Sequence, residues 1–117
     1  MILKCIKKSV WDLNKDKKEW GEEELQACGF IHCSTIELLL RVTPKFKNID
    51  EEMVILFIDE NKLVAKVKYE YSNKLDGYFP HIYGLINNSA VDKVLPYIKD
   101  NNNNCIINRE LLILNDK

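Results

Sequence analysis

The sequence predicts an α+β fold. Apolar runs of strand length outnumber long helical stripes, and the long helical crossovers of a doubly wound parallel sheet are not found in it. At 117 residues the chain has the size of one domain and buries roughly two thirds of its unfolded surface on folding. An asparagine-rich loop and extension at 99–117 are expected to pack on it.

Met1, Ile2, Leu3, Cys5 and Ile6 suit an opening strand. Ser9 and Asp12 mark a helix start, with Val10 and Leu13 on one face. Glu22, Glu23 and Glu24 complement the positive end of a second short helix, whose contacts are Leu25 and Cys28 and whose left-handed stop is Gly29. Phe30 to Cys33 is then a brief extended piece, Phe30 and His32 pointing to one side and Ile31 and Cys33 to the other. Ser34 and Glu37 match a capping box ahead of Leu38, Leu39, Leu40 and Val42, a helix limited by Pro44.

Met53 to Asp59 is an apolar run bounded by charges, the pattern of a strand covered on both faces. Leu63 to Tyr71 alternates, with Leu63, Ala65, Val67, Tyr69 and Tyr71 on one face and Lys66, Lys68 and Glu70 on the other, polar face. Asn73 to Gly77 supply a turn and Tyr78 to Ile86 the next strand. Pro80 has no amide to donate, which places it at an edge, a strand start or a bulge. From Val91 to Ile98 a helical stripe competes with a short turn and strand, because Pro96 would break the helix. Asn101 to Asn104 form a polar loop, and the closing CIINRELLILN fits helix or strand equally.

Seventeen basic residues against eighteen acidic ones leave a formal charge of −1, which argues against a general nucleic-acid binder. No stretch approaches the roughly twenty apolar residues of a membrane span, and MILKCIKKSVW lacks the apolar heart of a signal peptide. A cytoplasmic location follows as the expectation, with Cys5, Cys28, Cys33 and Cys105 reduced.

Two motifs carry the chemistry. In GFIHCST, Gly29 to Thr35, the proposed cap places His32 one residue from a helix amino terminus, where amides and an imidazole suit a phosphate. In FPHIYG, Phe79 to Gly84, His81 and Tyr83 project from one strand face, where they can stack on a planar ring or share a proton. Each histidine also has an ordinary structural reading, an imidazole tied to backbone or packed in the sheet. Zinc is not expected, since His32 and Cys33 point to opposite faces of an extended segment.

These two motifs, together with the opening strand, Trp11 and the apolar strand ending in Ile58-Asp59, resemble a bacterial family catalogued as domain of unknown function 952. The resemblance covers roughly residues 1–98 and implies remote kinship with the ADP-ribosyltransferase and RNA 2′-phosphotransferase fold, a small split, bent β-sheet that cradles NAD or an ADP-ribose-like group. It also implies a nucleotide-holding side chain in the first strand, where this chain has Lys4, and a ribose-orienting glutamate, for which Glu70 stands nearest. Many members have a histidine at the position of Lys4 and a tryptophan-glutamate pair at Tyr69-Glu70. The alternation above places Glu70 among lysines, as a salt-bridged surface residue.

The expectation is therefore a binder of a nucleotide or other phosphorylated small molecule. His32, His81 and Tyr83 are its candidate catalytic residues, and Ser34, Thr35, Lys4 and Glu70 its candidate ligand-binding residues. Group transfer or hydrolysis at ribose is the reaction open to it. The alternative is a non-catalytic module that binds a metabolite or a protein segment.

Overall fold

The computed structural model describes residues 1–106. It contains eight strands: β1 (Ile2–Lys7), β2 (Glu19–Trp20), β3 (Ile31–His32), β4 (Met53–Ile58), β5 (Lys66–Ser72), β6 (Gly77–Tyr83), β7 (Ile86–Asn87) and β8 (Val91–Pro96). Three short helices join them, α1 (Lys8–Asn14), α2 (Glu22–Cys28) and α3 (Leu39–Val42), with 3-10 turns at Thr43–Phe46, Glu60–Lys62 and Asn88–Ala90. Among the described residues no helix is long and apolar enough to cross a membrane.

Strand β4 is the centre of the first antiparallel sheet, ordered β1-β4-β8. All six of its residues are buried, as a continuous apolar run predicts. Alternation sends Val54, Leu56 and Ile58 into a core shared with Ile2, Ile31, Ile82 and Ile86. Met53, Ile55 and Phe57 enter a second core with Leu3, Leu39, Phe79 and Leu95.

The second three-stranded sheet is ordered β3-β6-β5, and it meets the first at one isolated bridge. Leu3 and Ser34 exchange both backbone hydrogen bonds at 2.8 Å, while His32, two residues earlier, lies opposite His81 on β6. The segment 31–34 thus leaves one sheet and joins the other, giving a split array in the spatial order β5-β6-β3-β1-β4-β8.

Several sequence expectations change here. The capping box is not formed: the Ser34 amide is taken by Leu3, its hydroxyl donates to the Thr35 carbonyl, and α3 begins only at Leu39. A cross-sheet bridge outcompetes a local cap because it satisfies two buried backbone groups at once. Ser9 likewise caps nothing; α1 starts at Lys8, and the Ser9 hydroxyl donates to Glu51. Trp11, rather than Val10 and Leu13, packs α1 on the core. On α2, Leu25 packs on the core as expected while Cys28 is exposed, and Gly29 closes the helix at φ 84° with its amide on the Leu25 carbonyl.

Pro80 lies inside β6, fully buried, not at a strand start. Its carbonyl accepts from the Cys33 amide at 3.2 Å, so its missing donor falls on the flank where β3 departs. The expected strand from Tyr78 to Ile86 divides after Tyr83, and Ile86–Asn87 pairs instead with Glu19–Trp20. Of the two readings for Val91 to Ile98 the structure has the strand, β8, an edge on which Pro96 is tolerated. The polar loop 101–104 returns through a Lys99–Cys105 bridge, and the unassigned terminal segment lies outside the described residues from 107 onward.

Candidate functional site

Antiparallel pairing of β3 with β6 sets His32 directly across from His81, and their ring centroids are 5.5 Å apart at 63°. Phe30 packs against both, stacked on His81 at 4.1 Å and tilted against His32 at 4.7 Å, and reaches Tyr83 at 5.5 Å. The two motifs therefore meet on one surface, with Phe30 between them.

Each imidazole is held by a carboxylate. His32 Nδ1 lies 2.9 Å from Glu24 Oε2, and His81 Nδ1 lies 2.8 Å from Glu70 Oε1. An ionised carboxylate can only accept, so both Nδ1 atoms carry the proton and each neutral ring presents Nε2 as its acceptor. Among the described residues neither Nε2 has a hydrogen-bond partner.

Glu70 sits with Lys66 and Lys68 as the alternation predicts, but that face is also the one bearing His81 and Tyr83: Lys68 is the cross-strand neighbour of His81, and Lys66 of Tyr83. Glu70 is a surface residue as expected, but its hydrogen-bond partners are not lysines: its Oε1 accepts from both the Tyr83 hydroxyl and His81. Those two hydrogen bonds hold its carboxyl below the usual range, and Glu70 in turn pushes the Tyr83 phenol up. The Lys68 ammonium stands 4.8 Å from the centre of the Tyr83 ring.

Glu24 is the residue that sequence reasoning missed, having counted it only as a charge at a helix end. Its Oε1 accepts from Lys4 Nζ at 2.9 Å, and its Oε2 accepts from the His32 amide at 2.7 Å besides the imidazole. Burial pushes its carboxyl up, but the Lys4 charge and the His32 amide together bring it below its ordinary value. Lys4 is only 8% exposed and also donates to the His32 carbonyl at 2.9 Å. Two of its three donors are used and one remains.

A cavity of about 320 Å³ opens beside this network, walled by Lys4, Glu24, His32, Ser34, Lys45 and Phe46 among others. A second, of about 510 Å³, lies toward Trp20, Val10 and Leu13. Lys4, Ile6 and Glu24 line both, so the two cavities adjoin at the Lys4–Glu24 ion pair and Ile6. His81, Tyr83 and Thr35 line neither. Thr35 offers its carbonyl to Ser34 and to the Leu38 amide, and α3 begins at Leu39, so the helix start expected one residue after His32 is not formed.

Comparison with known proteins bears directly on this arrangement. A family model described as "Protein of unknown function (DUF952)" matches residues 5–94. The chain belongs to this family. No protein of curated function matches it. Among solved structures it is similar to the X-ray structure of protein CC0527 from Caulobacter crescentus, with a TM-score of 0.81 and 25% identity over 95% of this chain and 97% of that one. The solution NMR structure of CC0527 from Caulobacter crescentus gives 0.72 and 26% identity over 88% and 89%. The likeness is one of fold, and the name CC0527 states no activity.

Proposed function

We propose that the protein binds a nucleotide or ADP-ribose-like phosphorylated ligand where the aromatic surface of His32, His81 and Tyr83 meets the Lys4–Glu24 cavity. The observation that carries this reading is the pair of facing imidazoles, each fixed by a carboxylate with Nε2 left open, beside a cavity holding two lysines. The chemistry of the donors fits a phosphate: Lys4 keeps one donor, Lys45 adds a second cation, and the Ser34 hydroxyl lines the same wall. Cavities of about 320 and 510 Å³ that adjoin at one ion pair are in the range that takes a small organic ligand. Tyr83, at the exposed end of the panel, offers its ring to a base or sugar.

The ADP-ribosyltransferase-like architecture belongs to this proposal as well. Its support is the split of the sheet at the Leu3–Ser34 bridge and the placing of Lys4 on the first strand beside the candidate cavity. Group transfer at ribose is the chemistry it suggests, with Glu70 steering through His81 and Tyr83.

One observation favours a non-catalytic module instead: Phe30 already covers a face of His81 at 4.1 Å, where a planar ligand would otherwise stack. Long-range ¹H–¹⁵N spectra of the two imidazoles, recorded while ADP-ribose, NAD or AMP is added, separate the readings. Saturable shifts at both rings, with about 2.7 kcal/mol of stabilisation at a hundredfold excess over Kd, are expected. Rings that stay unmoved by all three compounds at millimolar concentration would remove the nucleotide proposal.

A further inference from the structure

We infer that the His32–His81 pair is a general acid–base couple for hydrolysing a small cyclic phosphodiester on ribose, such as a 2′,3′-cyclic nucleotide. This rests on the binding reading above and names its reaction. Acid–base cleavage of a phosphodiester needs two proton-transfer groups, one serving the attacking water and one the departing oxygen, both within hydrogen-bond reach of a single phosphate. Two rings 5.5 Å apart, cross-strand neighbours on the β3–β6 ladder, bring two such groups to one place on the sheet. Their Nδ1 atoms are both engaged by carboxylates, so both reactive nitrogens are Nε2, and neither has a partner among the described residues.

Water attacks phosphorus, and neutral His32 Nε2 takes its proton as the new P–O bond forms. The P–O bond to one ribose oxygen breaks, and protonated His81 gives its Nε2 proton to that oxygen. A ribose phosphomonoester and a free hydroxyl result, and solvent exchange restores the two rings. His32 takes the water side because its side chain is 47% exposed, against 14% for His81. Lys4 and Lys45, which line the adjoining cavity, attract the phosphate charge.

A small substrate, rather than a polynucleotide, follows from the formal charge of −1, which gives no surplus of cations to track a polyanion. Glu24 and Glu70 are positioning residues: they fix the tautomer and stabilise each imidazolium as it forms. Besides these two carboxylates, the charged or titratable groups around the pair are Lys4 from β1, Lys68 from β5, Tyr83 from β6 and Lys45 from the cavity wall.

The full chain is assayed with 2′,3′-cyclic AMP, its imidazole spectra being followed in the same samples. One phosphomonoester isomer should be formed, with a bell-shaped pH profile because one ring must be neutral and the other protonated. His32→Ala and His81→Gln should each lower the rate about 10²- to 10⁴-fold with circular dichroism unchanged. Glu70→Gln should lower it about tenfold and displace one limb of the profile, which a purely structural glutamate would not do. Should His81→Gln fail to fold, His32→Ala and Glu70→Gln carry the test alone. Ring shifts without turnover would overturn the acid–base inference and leave the binding proposal standing. A rate undiminished by His32→Ala, or a pH profile that Glu70→Gln leaves unmoved, would overturn it too, and rings unmoved by the cyclic nucleotide, ADP-ribose and NAD would remove both.

Discussion

Replacing Glu24 by glutamine keeps the side-chain shape and removes one charge, which isolates what that carboxylate does for Lys4 and His32. Three hydrogen bonds converge on it, from Lys4 Nζ at 2.9 Å, the His32 amide at 2.7 Å and His32 Nδ1 at 2.9 Å. Glutamine retains an oxygen for one of them, but Lys4, 8% exposed, is left without its counter-ion. Breaking a fully buried pair costs about 3–5 kcal/mol. Here water reaches a Glu24 side chain that is 29% exposed, so part of that loss is recovered. A net destabilisation of about 2 kcal/mol is expected at pH 7, or about 8 °C in Tm for a chain of this size.

Because the folded carboxyl lies below its ordinary value of 4.5, its stabilisation is present above that value and is lost as pH falls through the folded one. The gap between parent and variant should therefore close on the acid side of 4.5. Urea denaturation at pH 7 and pH 3 measures both points. A gap under about 0.5 kcal/mol at pH 7, or one that is unchanged at pH 3, would refute the assignment of Glu24 as the counter-ion of a buried lysine.

Three further outcomes follow from the same coordinates. Gly29→Ala meets no atom within 4 Å but must hold φ 84°, so a cost of about 1 kcal/mol is expected in a denaturant melt. Gly21→Ala should cost clearly more, since its Cβ would stand 2.5 Å from Ile31 Cδ1 at φ 119°; equal losses at the two sites would disprove the steric account. Iodoacetamide at pH 8 should label exposed Cys28 first, because burial pushes the Cys5 and Cys33 thiols to about 12, and peptide mapping that finds Cys33 labelled early would contradict its burial.

The strands were legible wherever the apolar pattern was long. Met53 to Asp59 reads as a doubly covered strand from its residues alone, and β4 occupies Met53–Ile58 with every residue buried. Local signals failed where a partner distant in sequence claimed the same groups. Ser34 has every attribute of a cap, yet its amide is spoken for by Leu3, thirty-one positions earlier, and no local rule contains that pairing. Glu70 shows the limit of alternation: the period assigned its face correctly, but only the β5–β6 register reveals that His81 and Tyr83 share it. Glu24 was hidden for a similar reason, because three consecutive glutamates at a helix start look interchangeable and only one turns toward β1. The histidines were findable because each occupied a motif of its own. Their pairing spans forty-nine residues of chain, and the β3–β6 ladder supplies the contact.

The four residues from Ile31 to Ser34 act as a vernier between two scales. At one end Ile31 and His32 are indexed against Ile82 and His81, and at the other Ser34 is indexed against Leu3. With a single residue, Cys33, between the two readings, neither scale can slide without the other. A slip of one position would turn His32 toward the core and bring a different amide to Leu3 in the same motion. Insertions and deletions that surface loops absorb freely are for this reason excluded from this short span, and the spacing between a histidine and a serine becomes a fixed length of the molecule.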